Sequence, residues 1–448
     1  MESPQDTDAV QPVQRSSPGT GRFAQLGVLA GTGFIPLGLF ARLPLAMLTV
    51  GTLTLATSVT SSYALGGAAA GAVGIGSALG APLLGALADR KGQRPVLLTA
   101  AILNTVAVVV LILVAYGLSP ESSYTSALPV LLAALVAGAT CPQVGPLARV
   151  RWMALTSARP GPHGSARDLD TALSYESTAD ELTFVMGPAL VGILASLVAP
   201  WLPLAIAAAL TITLVPLFAV HPTERAVPKR RKVEIPPNEA SGNPSAGHGA
   251  AADSTVTPRR RPAATVVLPV LAMVFMGTFF GGTQTALSSF AAGFATSDIA
   301  GLLYSVMGLS SAAAALSVAY WPASVAVRLR WPLCAAVMAG LSLLLLLPTG
   351  AGSMVLTLFI LGLPVGPVMV TVFAIGGKLA PPGSLGTVMT ALASGIVAGT
   401  ALGAAVAGQL AQQLDSTAAF LVPVGAATGL FLLGCATALV LKDRDKTV

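Results

Sequence analysis

The chain has 448 residues, of which 54% are hydrophobic and 9% charged, and its mean hydropathy is +0.79. A soluble globular protein carries about 25% charged residues, so this composition excludes a soluble enzyme and indicates an integral membrane protein. The net charge of +6 comes from Lys and Arg between apolar runs, and we expect these residues to set topology rather than bind nucleic acid. Because an open sheet leaves backbone groups unsatisfied in lipid, the expected fold class is all-α.

Twelve apolar runs are long enough, at about 20 residues each, to cross a bilayer as helices. Six of them precede a polar stretch, at Leu37–Thr57, Ser61–Leu87, Val96–Leu118, Ala127–Arg149, Ala172–Ala199 and Trp201–Val220. Six follow it, at Val266–Phe294, Ile299–Trp321, Pro332–Thr349, Met354–Leu379, Leu385–Leu414 and Ala418–Leu441. The sequence therefore predicts a twelve-helix polytopic membrane protein.

The polar stretch between the two sets is rich in Pro, Arg, Lys, Ser and Gly, which is typical of a disordered linker. The N-terminal stretch is rich in Ser, Pro and Gln and resembles a tail rather than a signal peptide. The predicted domains are an N-terminal tail and lead-in, a six-helix bundle, a cytoplasmic linker, a second six-helix bundle and a C-terminal tail, at 1–36, 37–220, 221–264, 265–441 and 442–448.

The positive charges predict the topology. With the N-terminus inside, every Lys and Arg except Arg42 falls in a cytoplasmic segment, and the external loops contain only the acids Glu121, Asp298 and Asp415. We therefore expect a multi-pass protein of the cell membrane with both termini in the cytoplasm.

A short charged loop joins the second and third spans. Its spacing is G-x-L-x-D-R-x-G-x-R, formed by Gly85, Leu87, Asp89, Arg90, Gly92 and Arg94. Glycine permits the tight turn, and the acid can pair with an Arg or lie at the positive N-terminus of another helix. A solvated charged turn is the alternative for Asp89.

This spacing resembles the loop 2–3 signature of the major facilitator superfamily of secondary transporters. The resemblance implies two six-helix bundles around a central cavity, with alternating access. It also implies that Asp89 lies near the start of the eleventh span. There the loop residues Gly85, Asp89, Arg90, Gly92 and Arg94 would form a latch between the two halves. The prolines in Pro142–Pro146 and Pro364–Pro367, in the fourth and tenth spans, indicate an internal repeat.

Charged residues within a span are expensive and are functional candidates. Glu176 and Asp180 share one face of the fifth span, whereas Glu181 lines up with Pro188 and Gly192. We expect Glu181 to carry a proton. The available cations are Arg42, Arg149 and Arg151. Glu176 and Asp180 either take part in coupling or form a fixed ionic clasp with Arg149 or Arg151.

Gly187, Pro188 and Gly192 form a glycine–proline motif further along the fifth span. Proline removes a backbone donor and glycine permits close packing, which suits a hinge between two states. The motif resembles the fifth-helix motif of the superfamily's antiporters, and an ordinary packing kink is the alternative.

The expected function is proton-coupled export of a small hydrophobic or amphipathic compound, of the drug/proton antiporter type. Gln143 and Gln284 are candidate residues of a mostly apolar substrate cavity. The alternatives are an uptake symporter or uniporter for a metabolite, and a non-transporting receptor or scaffold. No P-loop spacing is present, which disfavours ATP-driven pumping. We expect no enzymatic activity, cofactor, metal or disulfide, and a monomer whose partners are its substrate, protons and the bilayer.

Overall fold

The computed structural model describes residues 21–118, 126–158, 162–228, 264–293, 298–322 and 326–445. The predicted N-terminal tail and linker fall mostly outside these residues, as do Glu121 and Arg159. The predicted disorder of those segments therefore stays a prediction. Throughout the described residues the regular secondary structure is helical.

Nine α-helices precede the gap at the predicted linker. They are α1 (Arg22–Ala30), α2 (Phe34–Phe40), α3 (Leu43–Thr60), α4 (Tyr63–Lys91), α5 (Gln93–Ala115), α6 (Leu128–Ala139), α7 (Val144–Ser157), α8 (Pro162–Leu197) and α9 (Leu202–Val220). Six follow it: α10 (Ala264–Ala292), α11 (Asp298–Ser317), α12 (Val327–Ser342), α13 (Ala351–Leu379), α14 (Leu385–Gln413) and α15 (Ser416–Asp445). Short 3-10 helices cover Pro222–Ala226, Val318–Tyr320 and Leu343–Leu346.

In the described residues these helices form twelve segments that are long and apolar enough to span a membrane, which confirms the predicted number. The first span consists of α2 and α3, and the fourth consists of α6 and α7. Each is interrupted beside a proline, at Arg42 before Pro44 and at Gln143 after Pro142. The polar side chains at both interruptions, Arg42 and Gln143, are buried.

The fifth span starts well before its predicted first residue, Ala172. Helix α8 begins at Pro162. Its first turns, which include the charged residues Arg167, Asp168 and Asp170, extend the helix beyond the apolar segment. Hydropathy marks the part of a helix that lies in lipid and does not mark such an extension.

Small residues bring helices within each half into backbone contact. In the first half, a Cβ on Gly80 of α4 would lie 2.1 Å from the carbonyl oxygen of Ala139 at the end of α6. In the second half, a Cβ on Gly277 of α10 would lie 2.0 Å from the carbonyl oxygen of Ile396 on α14. Close packing of this kind stabilises helices in lipid, where the hydrophobic effect does not drive them together.

One face of the molecule carries Pro228 and Ala264, the described residues on either side of the gap at 229–263, and we call it the linker face. Here the two halves touch. Asp170 of α8 and Arg330 of α12 form an ion pair of 2.9 Å. Arg22 of α1 donates to the Ala319 carbonyl oxygen, and its guanidinium lies 4.9 Å from the centre of the Tyr320 ring. The halves are therefore closed against each other at the linker face.

Candidate functional site

Arg42 lies in the interruption between α2 and α3, directly before the first turn of α3. Its side chain is buried, and its Nε donates to the carbonyl oxygen of Gly38. Nη2 donates to Glu176 Oε2 at 2.7 Å, and Nη1 donates to Asp180 Oδ1 at 2.8 Å. The helix interruption thus brings one arginine against both acids that share a face of α8.

The second oxygen of each acid also has a partner. Trp152 Nε1 donates to Glu176 Oε1 at 2.8 Å, and Arg149 Nη2 donates to Asp180 Oδ2 at 2.7 Å. Arg42, Arg149, Glu176 and Asp180 therefore form one network, the four-charge cluster, whose formal charges cancel. Buried ions are tolerated only when paired in this way, and removing one partner is strongly destabilising.

Arg149 connects the four-charge cluster to the second half of the molecule. Its side chain is fully buried, and its Cζ lies 3.9 Å from the centre of the Phe373 ring on α13. A guanidinium over an aromatic face is attracted by the ring quadrupole. Nε and Nη1 of Arg149 have no hydrogen-bond partner among the described residues.

Arg151 does not join the cluster, which corrects the expectation that it could pair with the acids of α8. Its Nε donates to Gln93 Oε1 at 2.8 Å, and its Nη1 donates to the carbonyl oxygen of Phe218 at 2.7 Å and to Thr223 Oγ1 at 3.1 Å. Residues two apart on a helix point about 200° from each other, so Arg149 and Arg151 cannot both face α8. Arg151 instead connects α7 to α5, to α9 and to the 3-10 helix at Pro222–Ala226.

Glu181 follows Asp180 in sequence but faces α11 in the second half. Its carboxyl group is buried, and its Oε1 accepts a hydrogen bond of 2.9 Å from Ser311 Oγ. Gly308 lies beside this contact, since a Cβ there would lie 3.9 Å from Glu181 Oε2. No described Lys or Arg forms an ion pair with Glu181, whereas the neighbouring Glu176 and Asp180 are both paired.

The interface between α8 and α11 continues on either side of Glu181. Thr178 Oγ1 donates to the carbonyl oxygen of Ala312 at 3.1 Å, one turn towards the linker face. A Cβ on Gly308 would also lie 3.0 Å from Val185. Glu181 is therefore enclosed in a packed contact between the two halves.

Asp89 lies at the N-terminus of α14, as the sequence analysis expects. Its Oδ1 accepts from the backbone N–H of Gly386 at 2.8 Å, and its Oδ2 accepts from the N–H and the hydroxyl of Thr387, both at 2.7 Å. A Cβ on Gly85 would lie 2.1 Å from Thr390 Oγ1, so this glycine permits the close approach of α4 to α14. An acid at a helix N-terminus interacts favourably with the helix dipole.

The other residues of the charged loop have plainer surroundings. Gly92, with a φ of 92°, ends α4 in a conformation that favours glycine. Arg90, Lys91 and Arg94 are exposed. The contact between the two halves in this loop is therefore made by Asp89.

The glycine–proline motif lies within the unbroken helix α8. A Cβ on Gly187 would lie 2.6 Å from Cβ of Ala46 on α3, so Gly187 is a packing residue, whereas no atom would lie near a Cβ on Gly192. The hinge role of Gly187, Pro188 and Gly192 stays a prediction.

Among the described residues, a larger and a smaller cavity are lined by both halves. The larger, of about 400 Å³, is at the linker face and is lined by Asp89, Glu224 and Lys378 among others. The smaller, of about 60 Å³, lies against the four-charge cluster and includes Gln143. Gln284, the other predicted cavity residue, is exposed and does not line the smaller cavity. The larger cavity and the buried charges are therefore at different places in the molecule. We assign the candidate functional site to the smaller cavity because the four-charge cluster lies there.

Comparisons with known proteins agree with this architecture. The crystal structure of the human organic anion transporter MFSD10 (TETRAN) superposes with a TM-score of 0.65 at 18% identity, over 91% of this chain and 99% of that chain. A bacterial homologue of the iron transporter ferroportin, in its outward-facing state, gives a TM-score of 0.65 at 14% identity, over 90% of this chain and 99% of that chain. FucP, in its outward conformation, superposes with a TM-score of 0.60 at 13% identity, over 93% of this chain and 99% of that chain.

These identities show a shared fold and no more. Among curated proteins, none matches this chain. Residues 32–395, which make up most of its length, match the sequence profile of the Major Facilitator Superfamily. The chain therefore belongs to the Major Facilitator Superfamily and is a secondary transporter.

Proposed function

We propose that this transporter exports a small hydrophobic or amphipathic compound in exchange for protons, as drug/proton antiporters do. We further propose that the linker face is cytoplasmic, because it carries the basic loop of Arg90, Lys91 and Arg94 and adjoins the Lys- and Arg-rich predicted linker. The closed linker face then corresponds to an outward-facing state. The transporter would work as a monomer in the cell membrane.

The observation that carries this proposal is the position of Glu181 in the contact between α8 and α11. Its carboxyl group is buried there with the Ser311 hydroxyl as donor and with no described cation partner. An ionised carboxylate in such an interface lacks a compensating charge, which is costly in a medium of low dielectric constant. Closure of the linker face is therefore favoured when Glu181 holds a proton.

Opening of the linker face would separate α8 from α11 and hydrate Glu181. The proton would then leave on the cytoplasmic side, and the cavity would accept substrate from the same side. In this proposal protons move inward and the substrate moves outward, and such opposite directions define an antiporter. The four-charge cluster, by contrast, would keep its ion pairs through the cycle.

The test is proton flux and substrate flux in proteoliposomes, measured with a panel of amphipathic compounds. Glu181→Gln keeps the shape of the side chain and removes the titratable group, so it should abolish gradient-driven transport while substrate exchange continues. The matched control is Asp415→Asn, which makes the same chemical change at an exposed residue of the opposite face. Uphill transport that continues unchanged in the Glu181→Gln protein would exclude Glu181 as the proton carrier.

The same assay separates the alternatives. Accumulation of a compound driven by an inward proton gradient would identify an uptake symporter. Flux that ignores the gradient in the wild-type protein would identify a uniporter. A protein that binds a compound and moves none would be a receptor.

A further inference from the structure

Arg149 holds hydrogen-bond donors that the protein itself does not use. The side chain is fully buried, yet Nε and Nη1 find no acceptor among the described residues, while Nη2 pairs with Asp180. A buried donor on a charged group is expensive to leave unpaired. Unpaired donors retained beside a cavity therefore indicate a ligand that supplies acceptors.

Gly145 lies beside Arg149 at the wall of the smaller cavity, which both residues line. A Cβ at position 145 would lie 3.7 Å from Arg149 Nη1 and 3.2 Å from Asp180 Oδ1. A Cβ would thus be in ordinary contact with the guanidinium and would crowd the Asp180 carboxylate.

A second unpaired donor reaches the same cavity from the other half of the molecule. Ser394 of α14 is 7% exposed, lines the cavity and has no hydrogen-bond partner for its hydroxyl among the described residues. The rest of the cavity wall includes apolar groups, among them Phe184, Phe373 and Ile396. The cavity therefore combines donors from both halves with an apolar surface.

We propose that this cavity binds the anionic end of the substrate, a carboxylate attached to an aromatic or aliphatic group. This inference rests on the proposed transport function and narrows its substrate class. The carboxylate oxygens accept from the unpaired N–H groups of Arg149 and from the Ser394 hydroxyl, and the apolar part packs against the phenylalanines. The present volume of about 60 Å³ admits the carboxylate end, since whole drug-sized ligands occupy pockets of about 300–1,000 Å³.

The hydrogen-bond donors and acceptors of the cluster favour an anion over a cation. Arg42 and Arg149 are balanced by Glu176 and Asp180, and both acids already have two partners each. The unpaired groups at this cavity are donors, whereas each carboxylate oxygen of the cluster already accepts a hydrogen bond, so a ligand that supplies acceptors fits better than an ammonium group. A neutral amide could use the donors without the charge.

The experiment is equilibrium binding by calorimetry to the full chain in lipid nanodiscs, which requires no proton gradient. The probes are phenylacetate, the neutral phenylacetamide of nearly the same shape, and the phenethylammonium ion. Phenylacetate should bind about tenfold or more tightly than phenylacetamide, because hydrogen bonds to a charged group are the stronger ones. Equal binding of the acid and the amide, or preference for the ammonium ion, would overturn the proposal.

Two serine variants provide a matched pair. Ser394→Ala removes a buried, unpaired hydroxyl that lines the cavity, and Ser177→Ala removes one that is equally unpaired but does not line it. We expect Ser394→Ala to weaken phenylacetate binding by about tenfold, which corresponds to ~1.4 kcal/mol, and Ser177→Ala to leave it unchanged. Equal affinities for the two variants would contradict the site.

Arg149→Lys keeps the positive charge and changes the geometry of the donors. It should reduce the preference for phenylacetate over phenylacetamide, and if this protein does not fold, the serine pair decides. Proton-coupled export of compounds without an acid preference would refute this inference alone. Selective acid binding in a protein that moves no substrate would refute the proposed function and leave the site in place.

Discussion

The substitution Asp89→Asn tests the contact that joins α4 to the start of α14. The carboxylate accepts two backbone N–H groups and one hydroxyl, at 2.7 to 2.8 Å. Asparagine retains one acceptor oxygen and replaces the other with an NH₂ group. That group would face a donor of Gly386 or Thr387, so at least one hydrogen bond is lost together with the negative charge.

The expected magnitude follows from these two losses. A charge at a helix N-terminus contributes about 0.3–1 kcal/mol when exposed and up to about 2 kcal/mol when partly buried, and Asp89 is half-buried. A hydrogen bond to a charged group contributes about 1.5–3 kcal/mol. Because the two contributions overlap, we expect a total of about 1–3 kcal/mol, which changes the ratio of closed to open linker face by about 5- to 150-fold.

The assay is a distance distribution between two spin labels across the linker face. Arg94 and Pro382 are exposed on the two sides of the contact and can be replaced with labelled cysteines after the native Cys141, Cys334 and Cys435 are removed. In the Asp89→Asn protein we expect the population with the longer distance to grow.

The matched control is Asp415→Asn. Asp415 accepts a hydrogen bond of 2.7 Å from the N–H of Ala418 at the start of α15, so it caps a helix within one half. This variant should leave the distance distribution unchanged. The same unchanged distribution in a folded Asp89→Asn protein would mean that Asp89 is a solvated turn residue and that the latch is absent.

Three further outcomes are expected. Trypsin should cut within residues 229–263 in inside-out vesicles, and cleavage in right-side-out vesicles would overturn the proposed topology. Arg42→Met should lower the free energy of unfolding by about 3–5 kcal/mol, because it leaves buried acids without their cation. Thermal unfolding measures this loss, and a clearly smaller loss would contradict the prediction. Burial and the nearby Arg151 lower the pKa of His221 below its ordinary 6.5, so the neutral form is favoured in the folded state. The free energy of unfolding should therefore be highest above pH 6.5 and should fall as the pH drops through the lowered pKa of His221. This fall should be absent in His221→Gln.

Much of the fold could be predicted from the sequence because lipid imposes a simple rule. A helix needs about 20 apolar residues to cross, and the chain repeats such runs with polar segments between them. The shared face of Glu176 and Asp180 also follows from helical periodicity, and the structure shows Arg42 bound to both acids. The same periodicity could have separated Arg149 from Arg151, since residues two apart lie on nearly opposite faces.

Contacts between distant helices could not be derived in this way. Nothing in the local sequence assigns Ser311 as the partner of Glu181, or Arg330 as the partner of Asp170, because these pairs depend on how two bundles meet. The position of Asp89 at the start of α14 was predicted only through the family resemblance. The unpaired donors of Arg149 likewise become visible only when every neighbouring acceptor is known.

Two of the contacts at the linker face, that of Asp89 with α14 and that of Asp170 with Arg330, differ in how they respond to mutation. Asp89 binds chiefly backbone N–H groups, so a substitution at position 387 that preserves the helix start leaves both N–H donors in place. Position 386 does not tolerate a side chain in the same way, because a Cβ on Gly386 would lie 2.6 Å from Asp89 Oδ1. Arg330 and Asp170 depend on each other's side chains, and a change at either position breaks the pair. Ionic strength acts on them unequally as well, because salt screens a partly exposed ion pair more than a carboxylate held by backbone groups. Added salt should therefore loosen the side of the linker face formed by α8 and α12 before the side formed by α4 and α14.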